Sequence, residues 1–250
     1  MDLPIVDDFR IQTPANRCSY LSDREAVLDY RIVIHLRDDE YARLLQRGWR
    51  RHGLYIFRPK CPACSECRSL RVRVSDFRAS KSQRRTVRKN HAISLKIQSP
   101  TITTQHLNLF NRYHADMRRR RNWPEHQVNA EEYYEAFLRG EYSFEREFLY
   151  FLDGRLIAVG LVDVTETASS SIYFFHDPAV RDLGMGTFSM IQEIDYAKQV
   201  GIDHHYLGYW IRDCPSMAYK NRFQPHEILD SHVDDLSEPS WQFAQTSPKS

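Results

Sequence analysis

No apolar run among the 250 residues approaches the roughly 20 needed to cross a bilayer, so no spanning helix is expected. The opening Met1-Asp-Leu-Pro-Ile-Val-Asp-Asp-Phe-Arg10 lacks an apolar core and is acidic, which points away from a signal or transit peptide and toward a cytoplasmic protein. Internal repeats and low-complexity stretches are absent, which points away from a solenoid. With 42% hydrophobic and 12% aromatic residues the chain is globular. Cysteine is sparse: five, an odd number without a secretory signal, argue against a disulfide framework and toward metal or thiol chemistry.

Acids are nearly missing from one stretch. Residues 47–90 hold fourteen Lys/Arg against two acids, whereas residues 150–250 hold seven bases against fourteen acids, so the net +2 conceals two opposed halves. Concentrated like charge repels itself and is explained by a polyanionic partner.

The pattern of elements is mixed α/β. The first 20 residues read as irregular, and two extended segments flank the cysteines between Gly48 and Asp76. Leu70-Arg-Val-Arg-Val74 alternates like a strand. Ser80 caps a helix to about Asn90 whose Lys81/Arg85 and Arg84/Arg88 pairs form two cationic rows. A strand over Ala92–Gln98 and a helix over Thr103–Arg121, ending in four arginines, come next. Asn129 with Glu132 forms a capping box for a helix that Gly140 stops. Phe148–Leu152, Asp153-Gly154 and Leu156–Val164 make a hairpin, followed by a strand over Ser170–Phe175. Next come a helix over Gly184–Val200, a strand over His205–Trp210 and a helix over Cys214–Phe223. The expected parts are a Cys-cluster and basic region (1–100), a helical connection (101–145), a transferase domain (146–235) and a tail (236–250).

Three constellations carry chemistry. Cys61, Cys64 and Cys67, spaced C-x2-C-x2-C, let three thiolates converge on zinc or an Fe–S cluster, with Cys18 as the fourth ligand. Arg181-Asp-Leu-Gly184-Met-Gly186 opens a helix after a strand and resembles the acyl-donor motif of GNAT acetyltransferases. There glycines admit backbone amides to a phosphate-bearing donor. Tyr206–Ile211 and Met217–Phe223 place aromatics, Trp210 among them, beside Lys220, a combination able to stack a base.

Arg17-Cys-Ser-Tyr-Leu21, Phe57–Cys67, Gln83–Asn90 and Tyr206–Ile211 together resemble the arginyl/leucyl-tRNA–protein transferase family, most of all its bacterial, leucine-transferring branch. The resemblance spans roughly residues 15–230. It implies a GNAT-like C-terminal half, no coenzyme A, and transfer of leucine from leucyl-tRNA to proteins beginning with Asp or Glu, marking them for N-degron degradation. On that reading the aminoacyl ester arrives activated, and no cofactor is needed for the transfer. Arg84, Arg85 or Arg88 would face the acidic acceptor side chain; the remaining cations, with Arg118–Arg121, would hold phosphates. Asp177, His176 and Tyr209 are the candidate proton acceptors. His176 stands where the family usually has tyrosine. The rival readings are an arginyl donor, a coenzyme-A-dependent acetyltransferase resting on Arg181–Gly186, and a non-enzymatic RNA-binding metal module on residues 47–90.

Overall fold

The computed structural model describes residues 8–212 and 214–244. The acidic start through residue 7 and residues 245–250 of the tail lie outside them. The first part of the chain gives β1 (Asp8–Gln12), a short ribbon of β2 (Asn16–Arg17) and β3 (Glu25–Ala26), β4 (Leu28–Val33), α1 (Asp38–Gln46), β5 (Arg50–His52) and β6 (Tyr55–Pro59). Strands β1, β4, β6 and β5, in that order, form a four-stranded antiparallel sheet. The strand β1 corrects the expectation of an irregular start. Asp8-Phe-Arg-Ile-Gln12 does alternate, but its apolar residues Phe9 and Ile11 face solvent rather than a buried side.

The remaining elements are β7 (Arg68–Arg73), α2 (Lys81–Lys89), β8 (Ser94–Gln98), α3 (Thr104–Arg121), α4 (Ala130–Tyr133), β9 (Glu145–Leu152), β10 (Arg155–Val164), β11 (Ala168–His176), α5 (Met185–Gln199), β12 (His204–Trp210), β13 (His226–Leu229) and β14 (Trp241–Phe243). They build an eight-stranded sheet in the order β14-β13-β7-β12-β11-β10-β9-β8. All its neighbours are antiparallel except β11 and β12. Thus β7 and β8, from before residue 100, share one sheet with the strands after residue 145. Two strands, β13 and β14, carry no clear alternation and escape the pattern reading.

Local signals account for most elements. Ser80 Oγ accepts from Gln83 N at 3.3 Å while Gln83 Oε1 accepts from Ser80 N at 2.7 Å, a complete capping box. Asn129 and Glu132 repeat the arrangement at 2.9 Å in both directions. Asp153 (φ +50°) and Gly154 (φ +74°) supply the two left-handed residues of a type I′ turn between β9 and β10. Phe188, Ile191, Ile194 and Ala197 on α5 are buried, as their spacing predicts.

The Cys214–Phe223 helix is corrected to a single 3-10 turn over Ala218–Arg222. The buried residues there are Cys214, Met217, Lys220 and Phe223, a period of three that suits 3-10 geometry rather than 3.6.

The two sheets are locked by buried polar contacts. Arg51 forks onto both oxygens of Asp163 at 2.8 and 2.7 Å and reaches Glu145 at 2.7 Å. The hydroxyl of Tyr209 is shared between the carbonyls of Gly48 (2.9 Å) and Phe57 (3.1 Å). Among the described residues no helix is long and apolar enough to cross a membrane.

Candidate functional site

The turn Arg181–Gly186 leads into α5, with Gly184 left-handed (φ +67°) as its N-cap and no side chain capping the first amides. A Cβ at Gly186 would meet nothing within 4 Å, so the turn is open on that side. Helix α2 clasps the turn from one flank: Lys89 Nζ donates to Asp182 O at 2.7 Å and Asn90 Nδ2 donates to Leu183 O at 2.9 Å. Helix α3 clasps it from the other, because Arg181 donates to Asp116 at 2.6 Å. The basic helix, the arginine-ended helix and the open turn therefore form one connected cationic frame.

Within that frame Arg84, Arg85 and Arg88 are exposed. Solvated cations of this kind suit phosphates, whose binding they support through counter-ion release. Asp116 also takes Arg119 (3.6 Å) and Arg120 (3.2 Å), so part of the arginine tail of α3 is already paired.

Strands β11 and β12 pair only at Ala168↔His204, Ser169↔His205 and Ser170↔Tyr206. Beyond those pairs β11 stays with β10 and β12 with β7, and the sheet splits. At the split Lys220 is buried, its ammonium donating to Tyr209 O at 2.7 Å. Burial, and then the nearby charge of Arg50, bring its pKa down to about 7.

The three candidate proton acceptors differ in surroundings. Asp177 accepts from Arg112 and Arg155 at 3.2 Å each and from Ala179 N at 2.9 Å, so its carboxylate oxygens are already engaged by the fold. His176 donates from Nδ1 to Asp177 O at 2.9 Å and packs edge-on to Tyr113; burial lowers its pKa, leaving a neutral ring. Tyr209 is fully engaged as a clamp, and burial raises its hydroxyl pKa well above the ordinary value. A phenol so shifted keeps its proton at neutral pH. The indole N–H of Trp210 is buried without a partner among the described residues.

Cys18, Cys61, Cys64 and Cys67 line one mostly apolar cavity of about 340 Å3, beside Tyr20, Phe57, Tyr209 and His232. Cys18 Sγ accepts from Tyr20 N (3.4 Å) and Leu21 N (3.5 Å), and Cys61 Sγ accepts from Val27 N (3.4 Å). Four sulfur atoms lining one cavity are the donor type that suits a soft metal. Burial pushes the Cys67 thiol up to about 12, and the neighbouring Cys18, Cys61 and Cys64 add to the rise. A bound cation is what would reverse that shift. Among the described residues, however, no three His, Cys, Asp or Glu side chains stand close enough to hold an ion as they are.

Sequence reasoning overlooked Arg50 and Glu193. Arg50 was one of fourteen cations in a run; only the placement of β5 against β11 distinguishes it.

The solved structures most like this one include FemX, with a TM-score of 0.51 at 10% identity, covering 90% of this chain and 86% of that one. Another is the C-terminal domain of a lysylphosphatidylglycerol synthetase from Agrobacterium fabrum, TM-score 0.50 at 11% identity, covering 80% of this chain and 61% of that one. At these identities the likeness shows a shared α/β fold and nothing more. In sequence, a protein of Helicobacter hepaticus named aspartate/glutamate leucyltransferase is 37% identical over 90% of this chain and 93% of its own length. One of the same name from Halorhodospira halophila is 37% identical over 88% and 93%. The family models "Arginine-tRNA-protein transferase, N terminus" and "C terminus" match residues 16–85 and 105–230. With both family models matched and relatives 37% identical over nearly the whole chain, this chain belongs to the arginine-tRNA-protein transferase family and is an aminoacyltransferase.

Proposed function

We propose that the chain transfers leucine from leucyl-tRNA to the N-terminal Asp or Glu of acceptor proteins in the cytoplasm, marking them for N-degron degradation. The observation that carries this reading is the near full-length similarity to proteins named aspartate/glutamate leucyltransferase. The cationic frame supports it: Arg84, Arg85, Arg88 and the arginines ending α3 offer phosphate contacts around the turn at Gly184 and Gly186. Trp210 offers a stacking face for the terminal base.

The ester in the donor is already activated, so the reaction needs positioning, a proton acceptor for the attacking amine and stabilisation of the oxyanion. No cofactor enters that transfer. Lys220, half neutral near pH 7, is the best-tuned proton acceptor at the split. Asp177 and His176 then act to hold the end of β11, and Tyr209 to join the two sheets. Cys18, Cys61, Cys64 and Cys67 would hold zinc or an Fe–S cluster that fixes the basic part of the chain.

An Asp-initiated peptide incubated with labelled leucyl- and arginyl-tRNA tests the reading. Label from the leucyl donor is expected. The description of the matching family favours arginine as the second reading, and label from the arginyl donor alone would establish it.

A further inference from the structure

Arg50 occupies the head of the split between β11 and β12. Its Nη1 donates to Ser170 Oγ at 2.7 Å, and its Nη2 donates to the carbonyl of Ser171. The guanidinium lies flat against Gly208 (φ +84°), where an added Cβ would stand 3.0 Å from the Arg50 Cζ. The seat is reinforced from behind. Ser171 Oγ donates to Glu193 and lies 3.1 Å from His205 Nε2. Ser169 Oγ lies 2.8 Å from His205 Nδ1, and Ser189 Oγ donates to Glu193 at 2.8 Å. His205 and Glu193 are both buried.

This arginine is only 9% exposed, yet no described carboxylate pairs with it. Its neighbour Arg51 meets two, and Glu193 is taken up by Ser171, Ser189 and His205. Two of its five N–H groups are used, leaving donors for a bidentate partner. A buried cation without a counter-charge is costly to hold and is relieved by an arriving anion. Arg50 is close enough to lower the Lys220 pKa, and its charge also reaches Tyr209 and Tyr219. In an N-terminal Asp or Glu the carboxylate lies only a few bonds from the attacking amine, so its recognition must sit beside the proton acceptor. Arg84, Arg85 and Arg88 are solvated and screened, and discriminate one carboxylate poorly.

We propose that Arg50 is the specificity-determining residue that binds the side-chain carboxylate of the acceptor's first residue. The assignment rests on the acceptor class proposed above.

The test compares kcat/KM for otherwise identical peptides starting with Asp or Asn, for wild type, R50Q and R50K, with leucyl-tRNA as donor. Wild type is expected to prefer Asp by about 100-fold, the scale of a buried charge pair. R50Q should lose that preference, with the Asp peptide falling about 100-fold and the Asn peptide changing by less than about threefold. R50K should fall between, and tRNA retention on filters should be unchanged in both. An R50Q protein that keeps the Asp/Asn ratio, or loses both peptides equally, overturns the proposal. Wild type that leucylates neither Asp nor Glu peptides overturns the acceptor class instead.

A measurement on wild type alone covers the case in which R50Q does not fold. A buried contact predicts a peptide KM that moves less than about twofold between about 50 and 200 mM KCl, while that for tRNA rises steeply. A peptide KM that climbs with the tRNA value assigns recognition to the exposed arginines.

Discussion

Arg181 at the donor turn is bound to Asp116 on α3 at 2.6 Å, so the arginine of the R-x-x-G-x-G motif serves as a strut between two helices. Three arginines converge on that one carboxylate. Replacing Asp116 by Asn should lower stability by about 1 kcal/mol, because the arginines are largely solvated. The same change should tighten tRNA binding at low salt, since it frees positive charge. Urea denaturation and filter binding measure the two effects; weaker tRNA binding would contradict the frame described here.

The fork of Arg51 on Asp163 is sealed from solvent, and its loss should be severe. D163N is expected to cost about 3 kcal/mol, the scale for stripping one partner from a buried ion pair. A chemical-denaturation midpoint that hardly moves would show the pair to be dispensable.

Glu145 shares that arginine. Burial pushes its pKa up to about 8 from an ordinary 4.5, against the pull of Arg51 and helped by Asp163. The folded chain thus holds this proton more tightly than the unfolded chain does. Its contribution is complete below pH 4.5 and is lost as the pH climbs through 8. E145Q should flatten the fall in stability over that window, read as denaturation midpoints at several pH values.

If Lys220 accepts the amine proton, both it and the peptide's own amine, which titrates near 7.7–8.0, must be neutral. The kcat/KM for the acceptor peptide should then rise about a hundredfold per pH unit below about 7, about tenfold per unit from there to about 8, and then level. K220M should abolish the steeper limb, leave the tenfold one and reduce the rate by about 100-fold or more. Retention of the steeper limb in K220M would move the role to another group.

The thiol set predicts stoichiometric metal in protein purified without oxygen. C61S/C64S should lose it and should also lower the melting temperature, since a metal that binds only the folded state stabilises it. Metal content unaffected by the double substitution would remove these residues as ligands.

Much of this architecture was legible because its signals are local. The serine and asparagine caps, the Asp-Gly turn and the apolar face of α5 each depend on residues within one turn or one strand. The partnership of Arg50 with Ser170 was not legible, since β5 and β11 meet only through the arrangement of two sheets. The grouping of Cys61, Cys64 and Cys67 is visible in their spacing, and Cys18, expected as a fourth member from its polar, irregular segment, lines the same cavity. Strand β1 escaped because its outward face is apolar, against the usual sense of the pattern.

The position of β7 has a consequence for biogenesis. Arg73 is made early, yet its ladder partner is His204, and Val72 waits for both His205 and His226. As the ribosome releases the intervening chain, β7 has neither of its flanking strands and is a bare β-prone segment. Arg71 and Arg73, alternating with apolar residues, charge one face of that segment and oppose its stacking with another nascent chain. When β13 arrives, Arg71 is neutralised by Glu227 at 2.6 Å, so the guard is retired at the moment the strand is enclosed.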